Sequence, residues 1–332
     1  MDLEAAFDTI APPEAQQGPP LYSVIPISGL RSYLVGKDQA ALACVLIATA
    51  DDTTTVQAPI RLETIDVQFD LRCQLRKGAD APSEGVFTVI RCRSADRETI
   101  RYFLSVCRTV IKLLGDRPTR RAVASAVNRL VDIFRRAQAL ASRSVSGLFG
   151  ELYVISRSKN LARSVAAWRM AESARFDFVS NDARLEVKAA TGRKRIHSFS
   201  YEQCNPPAGT VAVIASLLVE RIAGGMSLRS LVEQIERELA GNADLVLKLR
   251  EVVASTMGGS LHEALTSSFD MRLAETSLRF FRCCDIPAIR GQLPPGVSDV
   301  HFTADLSGLD VTSLQHLIQQ SADLEELLPA DT

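Results

Sequence analysis

The chain has 332 residues, 46% hydrophobic and 23% charged, with a formal net charge of −1 at pH 7. That balance fits a folded protein of two or three lobes, and it excludes a globally basic nucleic-acid binder, so any polyanion contact must come from local patches. The seven cysteines (Cys44, Cys73, Cys92, Cys107, Cys204, Cys283 and Cys284) are odd in number and never spaced C-x-x-C, which argues against a disulfide framework or a zinc knuckle and for a reducing, cytoplasmic setting. No basic leader opens the sequence, and no apolar run approaches the ~20 residues of a membrane span, so no membrane contact is expected.

In chain order, residues 1–20 end in Ala-Pro-Pro-Glu-Ala-Gln-Gln-Gly-Pro-Pro and read as a flexible arm. An N-terminal α+β domain is expected over 21–115. Ala41–Ile47 is a short apolar run. Ile65, Val67, Phe69 and Leu71 alternate with polar residues as a half-buried strand, and Gly85–Cys92 is another. The period then changes to that of a helix at Ile100, Phe103, Leu104, Cys107, Ile111 and Leu114, with Gly115 as its stop. Asp116-Arg-Pro-Thr-Arg-Arg121 is a candidate boundary, and a helix with Val123, Val127, Leu130 and Phe134 on one face follows. Its arginines, Arg129, Arg135 and Arg136, read first as a solvated surface and second as phosphate contacts.

A second part, 116–225, carries the chemistry. Gly147-Leu-Phe-Gly-Glu-Leu-Tyr-Val-Ile155 is helical in period, but two glycines in one turn cost roughly 1 kcal/mol each against alanine, which implies that something approaches closely. Glu151 inside it is either a solvated or capping carboxylate or a third acid of a site. Trp168 reads as a core anchor. Arg175–Ala190 reads as a β-hairpin about Asn181-Asp182, residues that tolerate the positive φ of a tight turn. With those two at the turn, Phe178 faces Leu185, Asp177 faces Glu186 and Phe176 faces Val187. Asp177, Glu186 and Lys188 then share one face. Two carboxylates directly opposite, with Cβ atoms about 4.5–5.5 Å apart, repel each other. A hard cation between them reverses the sign. The plain alternative is a polar strand face whose charges are solvated or paired with Arg184 or Lys188.

Arg193, Lys194 and Arg195 form the densest basic cluster and are candidate nucleic-acid contacts beside the carboxylates, although loop charges are most often only solvated. Ile196–Ser200 reads as a third strand and Tyr201–Cys204 as a short helix. Thr210–Val219 is a strand buried on both faces. The last part, 226–332, reads as α+β: helices opened by Ser227 and near Asp244–Val253, strands at Ser277–Cys283 and Val300–Leu306, and a final helix with Leu314, Leu317 and Ile318. The four histidines show no ligand spacing, and there is no phosphate-binding glycine loop or nucleophile elbow.

Gly147-Leu-Phe-Gly-Glu151, Phe176-Asp-Phe178, Leu185-Glu-Val-Lys-Ala189 and His197-Ser-Phe-Ser-Tyr-Glu-Gln203 together resemble the PD-(D/E)XK phosphodiesterase superfamily, and within it the motif proteins of restriction-like bacterial defence operons. The resemblance implies a restriction-endonuclease-like α/β core, a mixed sheet flanked by helices. It also implies a Mg²⁺-dependent endonuclease acting on DNA in a restriction or antiphage defence system. By the same resemblance Asp177 and Glu186 ligate Mg²⁺ (or Mn²⁺) with the carbonyl of Val187. Lys188 positions water and stabilises charge on the phosphate, Glu151 matches the acid of the preceding helix, and Gln203 matches an accessory position. Phe176 stands where the family's motif has proline. Cutting two strands takes two active sites, which leaves a homodimer open, as are other subunits of a restriction-like complex. The alternative is a non-catalytic DNA-binding or scaffold subunit of such a complex.

Overall fold

The structure is a computed structural model, and it describes residues 3–14, 18–49, 57–78, 80–141, 143–169 and 174–329. The chain divides into two units, Met1–Gln138 and Ala139–Thr332.

The first unit contains α1 (Leu3–Asp8), β1 (Leu21–Pro26), β2 (Tyr33–Lys37), β3 (Ala43–Ile47), β4 (Ile60–Arg61), β5 (Ile65–Arg76), β6 (Ser83–Cys92), α2 (Arg97–Leu114) and α3 (Arg120–Arg136). Its sheet runs β1-β2-β3-β6-β5-β4, and β1 also pairs in parallel with the far end of β5, so five strands close on themselves. A bulge between Gln68 and Leu71 bends β5, with Asp70 at φ +50°, and that bend lets one strand serve both neighbours. α2 stops where expected: Gly115 takes φ +65° and returns its N–H to the Ile111 carbonyl.

Residues 3–8 are a helix, not part of a free arm. Leu3 and Phe7 are buried, and Glu4 and Asp8 pair with Arg101 and Arg97 of α2. The unit also ends after Gln138 rather than at 116, because α3 packs on α2 through Phe134 against Tyr102 and Phe103, with ring centroids 5.7 and 6.2 Å apart.

The second unit begins with α4 (Val145–Arg157), α5 (Leu161–Ala167), β7 (Phe178–Ser180), β8 (Ala183–Ala190), β9 (Ile196–Ser200), α6 (Tyr201–Cys204) and β10 (Val211–Leu218). It continues with β11 (Arg221–Ser227), α7 (Leu228–Glu238), α8 (Ala243–Met257), α9 (Leu261–Thr266), β12 (Ser268–Phe269), α10 (Met271–Ser277), β13 (Arg279–Arg282), β14 (His301–Asp305), α11 (Leu314–Ile318) and α12 (Ala322–Leu327). Residues 226–332 therefore belong with the hairpin and not to a separate region, since β13 is a strand of the hairpin's own sheet.

That sheet is mixed, in the order β13-β10-β8-β7. β10 lies in its middle, parallel to β8 and antiparallel to β13, with Val213, Ile214 and Ala215 fully buried. α4 covers one face. A Cβ on Gly150 would stand 3.2–3.3 Å from side chains of Val187, Ala189 and Leu217, so this glycine lets the helix sit close on β8 and β10. The other glycine of the turn, Gly147, adjoins the hydroxyl of Ser144, which caps α4. On the opposite face, Ile214 and Ala212 pack with Phe176, Phe199, Phe281, Ile286 and Leu306. β9 lies apart from the hairpin sheet and pairs antiparallel with β14. Cys283, expected to end a strand, instead opens a 3-10 turn with Cys284 and Asp285 after β13.

Candidate active site

The hairpin has the register its turn residues require. Ser180 pairs with Ala183, Val179 with Arg184 and Phe178 with Leu185, and Asn181 takes φ +36°. The backbone ladder ends at Phe178. Phe176 departs from the expected face: it joins the cluster around Ile214, while Phe178 stacks on Trp168. Where the ladder ends, a side chain replaces it. Asp177 Oδ2 accepts the N–H of Val187 at 2.8 Å. The Val187 carbonyl points to the same edge, because both polar groups of a strand residue face one neighbour.

Asp177 and Glu186 are 0% and 1% exposed. Glu151, the acid of α4, is also buried, so the solvated alternative for it is excluded. All three are compensated by cations. Arg169 donates from Nη2 to both oxygens of Glu151 at 3.0 Å and from Nε to Asp177 Oδ1 at 3.3 Å. Its own N–H donates to the Asp177 carbonyl at 2.8 Å. Arg143 reaches the same Oδ1 at 2.7 Å and lies 3.5 Å from Glu151 Oε1. Trp168 Nε1 donates to Glu151 Oε2 at 2.7 Å, so the expected core anchor also serves the site.

Glu186 is held from the other side. Lys188 Nζ lies 2.8 Å from Glu186 Oε1 and donates to Gln203 Oε1 at 3.2 Å. Gln203 Nε2 donates to Glu186 Oε1 at 2.6 Å. The Gln203 amide is oriented by a capping box, in which Ser200 N–H donates to Gln203 Oε1 and Gln203 N–H donates to Ser200 Oγ. Lys188 also stands 5.0 Å above the Phe199 ring. Glu151, Asp177, Glu186, Lys188 and Gln203, which the sequence points to, thus lie together in the fold. Arg143 and Arg169, which the sequence did not single out, join them. Their only signals were position: Arg143 directly precedes the Ser144 cap of α4, and Arg169 follows Trp168.

Burial raises the carboxyls of Glu151 and Glu186 above the ordinary range, and the negative charge of Asp177 raises them further. Arg169 and Arg143 pull Glu151 back, and Lys188 and Arg143 pull Glu186 back. One oxygen escapes compensation. Among the described residues Glu186 Oε2 is buried and accepts no hydrogen bond. Such an atom carries a desolvation cost that a hard cation removes. The donor set fits a divalent ion in its chemistry: carboxylate oxygens of Asp177 and Glu186 and a strand carbonyl at Val187. Among the described residues no three Asp, Glu, His or Cys side chains are close enough to form a metal-binding group by themselves. The backbone oxygen and outside ligands would have to complete the shell.

The basic cluster divides. Arg193 and Lys194 are exposed. The guanidinium of Arg195 is committed to the interior, where Nη1 donates to the Ser216 carbonyl and hydroxyl at 2.7 and 2.9 Å and Nη2 to the Ser277 carbonyl. His197 is buried beside it, 2.8 Å from Ser216 Oγ, and burial with the nearby charges of Lys188 and Arg195 lowers its pKa to about 4, so it is neutral.

A family model described as "Putative PD-(D/E)XK family member, (DUF4420)" matches residues 4–307. No curated protein and no solved structure matches the chain. Among the described residues no helix is long and apolar enough to cross a membrane.

Proposed function

The chain belongs to the DUF4420 family of PD-(D/E)XK proteins, and from that premise we propose that it is a Mg²⁺-dependent endonuclease cutting DNA in a bacterial restriction or antiphage system. The observation that carries this reading is the buried, unpartnered Glu186 Oε2 beside Asp177 and Lys188. Bound there, a divalent ion would activate water and neutralise charge on the phosphate. Asp177, Glu186 and the Val187 carbonyl would hold it.

The chain's own groups supply the rest. Lys188 is anchored at Glu186 and Gln203, yet its side chain keeps 17% exposure, so its ammonium can meet a phosphate oxygen and the attacking water. Gln203 fixes Glu186 and Lys188 in one geometry. Arg169 and Trp168 keep Glu151 in place behind Asp177. Arg193 and Lys194 are free of the interior and suit contacts to flanking phosphates.

A second reading, the non-catalytic DNA-binding or scaffold subunit, is favoured by one observation: Arg143 and Arg169 already neutralise Asp177 and Glu151 without a metal. A substrate panel separates the two. Supercoiled, linear, methylated and single-stranded DNA, and RNA, are incubated with the protein with and without Mg²⁺. Metal-dependent cutting of DNA supports the nuclease. Retention of DNA without cutting, with or without candidate partner subunits, supports the scaffold.

A further inference from the structure

Two arginines contact Asp177, and they are not alike. Arg169 has a side chain only 5% exposed and is bonded to Glu151, Asp177 and the Asp177 backbone. It is part of the buried frame. Arg143 has a side chain 30% exposed and makes one short hydrogen bond, to Asp177 Oδ1, with a looser ion pair to Glu151. It reaches the site from outside the first turn of α4, and its guanidinium, unlike that of Arg169, already borders water.

We infer that Arg143 is an exchangeable counter-cation, which holds Asp177 when no metal is bound, is displaced by a divalent ion, and then contacts the phosphate of the incoming nucleic acid. The inference rests on the reading of Asp177 and Glu186 as metal ligands. Its physical basis is charge balance. Glu151, Asp177 and Glu186 face Arg143, Arg169 and Lys188, three acids against three bases. A divalent ion added to that balance leaves a positive surplus. Arg169 cannot move without stranding buried carboxylates, and Lys188 is tied to Gln203. Arg143 is the cation that can leave. Once released it stands at the mouth of a site with excess positive charge, where a phosphate diester is the natural acceptor for a planar guanidinium. In the absence of metal Arg143 keeps Asp177 and Glu151 paired, which helps them stay buried.

The test measures binding, not turnover. Mn²⁺ affinity is determined by calorimetry for the wild type and Arg143→Ala, each shown to be folded by a cooperative melt in EDTA, where the variant should melt lower because Asp177 has lost a partner. If Arg143→Ala fails to fold, Arg143→Gln, which keeps a donor for Asp177 without the charge, takes its place. Removal of the competitor should tighten Mn²⁺ binding roughly fivefold, the size of a part-exposed ion pair. Equal or weaker Mn²⁺ binding overturns the inference. DNA binding is then compared in a Lys188→Met background with a duplex oligonucleotide. With Mn²⁺ present, Arg143→Ala should weaken binding and reduce the salt slope by about 1, one phosphate contact. In EDTA the substitution should have a much smaller effect. Equal effects in both conditions overturn the exchange. If neither protein binds Mn²⁺ at all, the metal-site reading itself falls, whereas equal binding by both removes only the role of Arg143.

Discussion

Asp177 Oδ2 accepts the backbone N–H of Val187 at 2.8 Å, so the hairpin continues through a carboxylate after its backbone ladder stops. This bond ties the first acid to the residue between the second acid and the lysine. It also keeps Asp177 near Glu186, whose carboxyl its charge raises. The sheet supports that pair by placing Glu186 beside Ile214 of the buried central strand.

The uncompensated carboxylate oxygen predicts an unusual stability change. Glu186→Gln keeps the shape and retains an acceptor for Gln203 while removing a buried charge near Asp177. The Glu186 carboxyl is held up to about 7 despite its pair with Lys188, so without metal at pH 8 the variant should be more stable than the wild type, by on the order of 1 kcal/mol. In the same variant the rise in melting temperature caused by Mn²⁺ should disappear. Thermal melting in EDTA and in Mn²⁺ reads both effects.

The pH dependence follows from the same carboxyls. Glu151 and Glu186 are raised from the ordinary 4.5 to about 7 in the folded chain. Between those values the native state holds protons that the unfolded chain has lost. Stability without metal therefore falls as pH rises from about 4.5 to 7, and levels off above. A divalent ion needs the deprotonated forms, so its binding should strengthen over the same window. Melting in EDTA and Mn²⁺ titration at pH 5.5, 6.5 and 7.5 should move in opposite directions. A flat metal affinity across this range would count against Glu186 as a ligand.

Gln203 is a positioning residue, and its loss should separate geometry from folding. Gln203→Ala removes the donor to Glu186 Oε1, the acceptor for Lys188 and half of the capping box of α6. The expected cost is about 1–3 kcal/mol of stability and roughly 10–100-fold in metal affinity or activity. Gln203→Glu can restore the contact to Lys188 but opposes Glu186, so it should recover little.

Much of this site could be read from the chain because its signals are local. Asn181-Asp182 sets the hairpin register, alternation puts Asp177, Glu186 and Lys188 together, and the β-branched run at Thr210–Val219 marks the central strand. Gly150 announced the close approach of α4. The remainder depends on chain segments far apart. Arg143 lies 34 residues before Asp177, and no sequence period links them. Phe176 left its expected face because the ladder stops at Phe178, two residues earlier than the alternation assumes. Arg195 looked like part of an exposed basic patch, but Ser216 and Ser277, on β10 and at the end of α10, draw it inward. The first twenty residues looked unstructured from their prolines, although Leu3 and Phe7 anchor a helix before them.

Asp177, Glu186 and Lys188 are proposed to form a metal-dependent phosphodiester-cleaving site. Conversion of supercoiled plasmid to nicked and linear forms tests it most directly, comparing wild type, Glu186→Gln and Lys188→Met in Mg²⁺, Mn²⁺ and EDTA. The wild type should cut only with metal, and either variant at least about 100-fold less, the loss typical of removing one transition-state contact. Cutting in EDTA, or cutting by Lys188→Met at the wild-type rate, would contradict it.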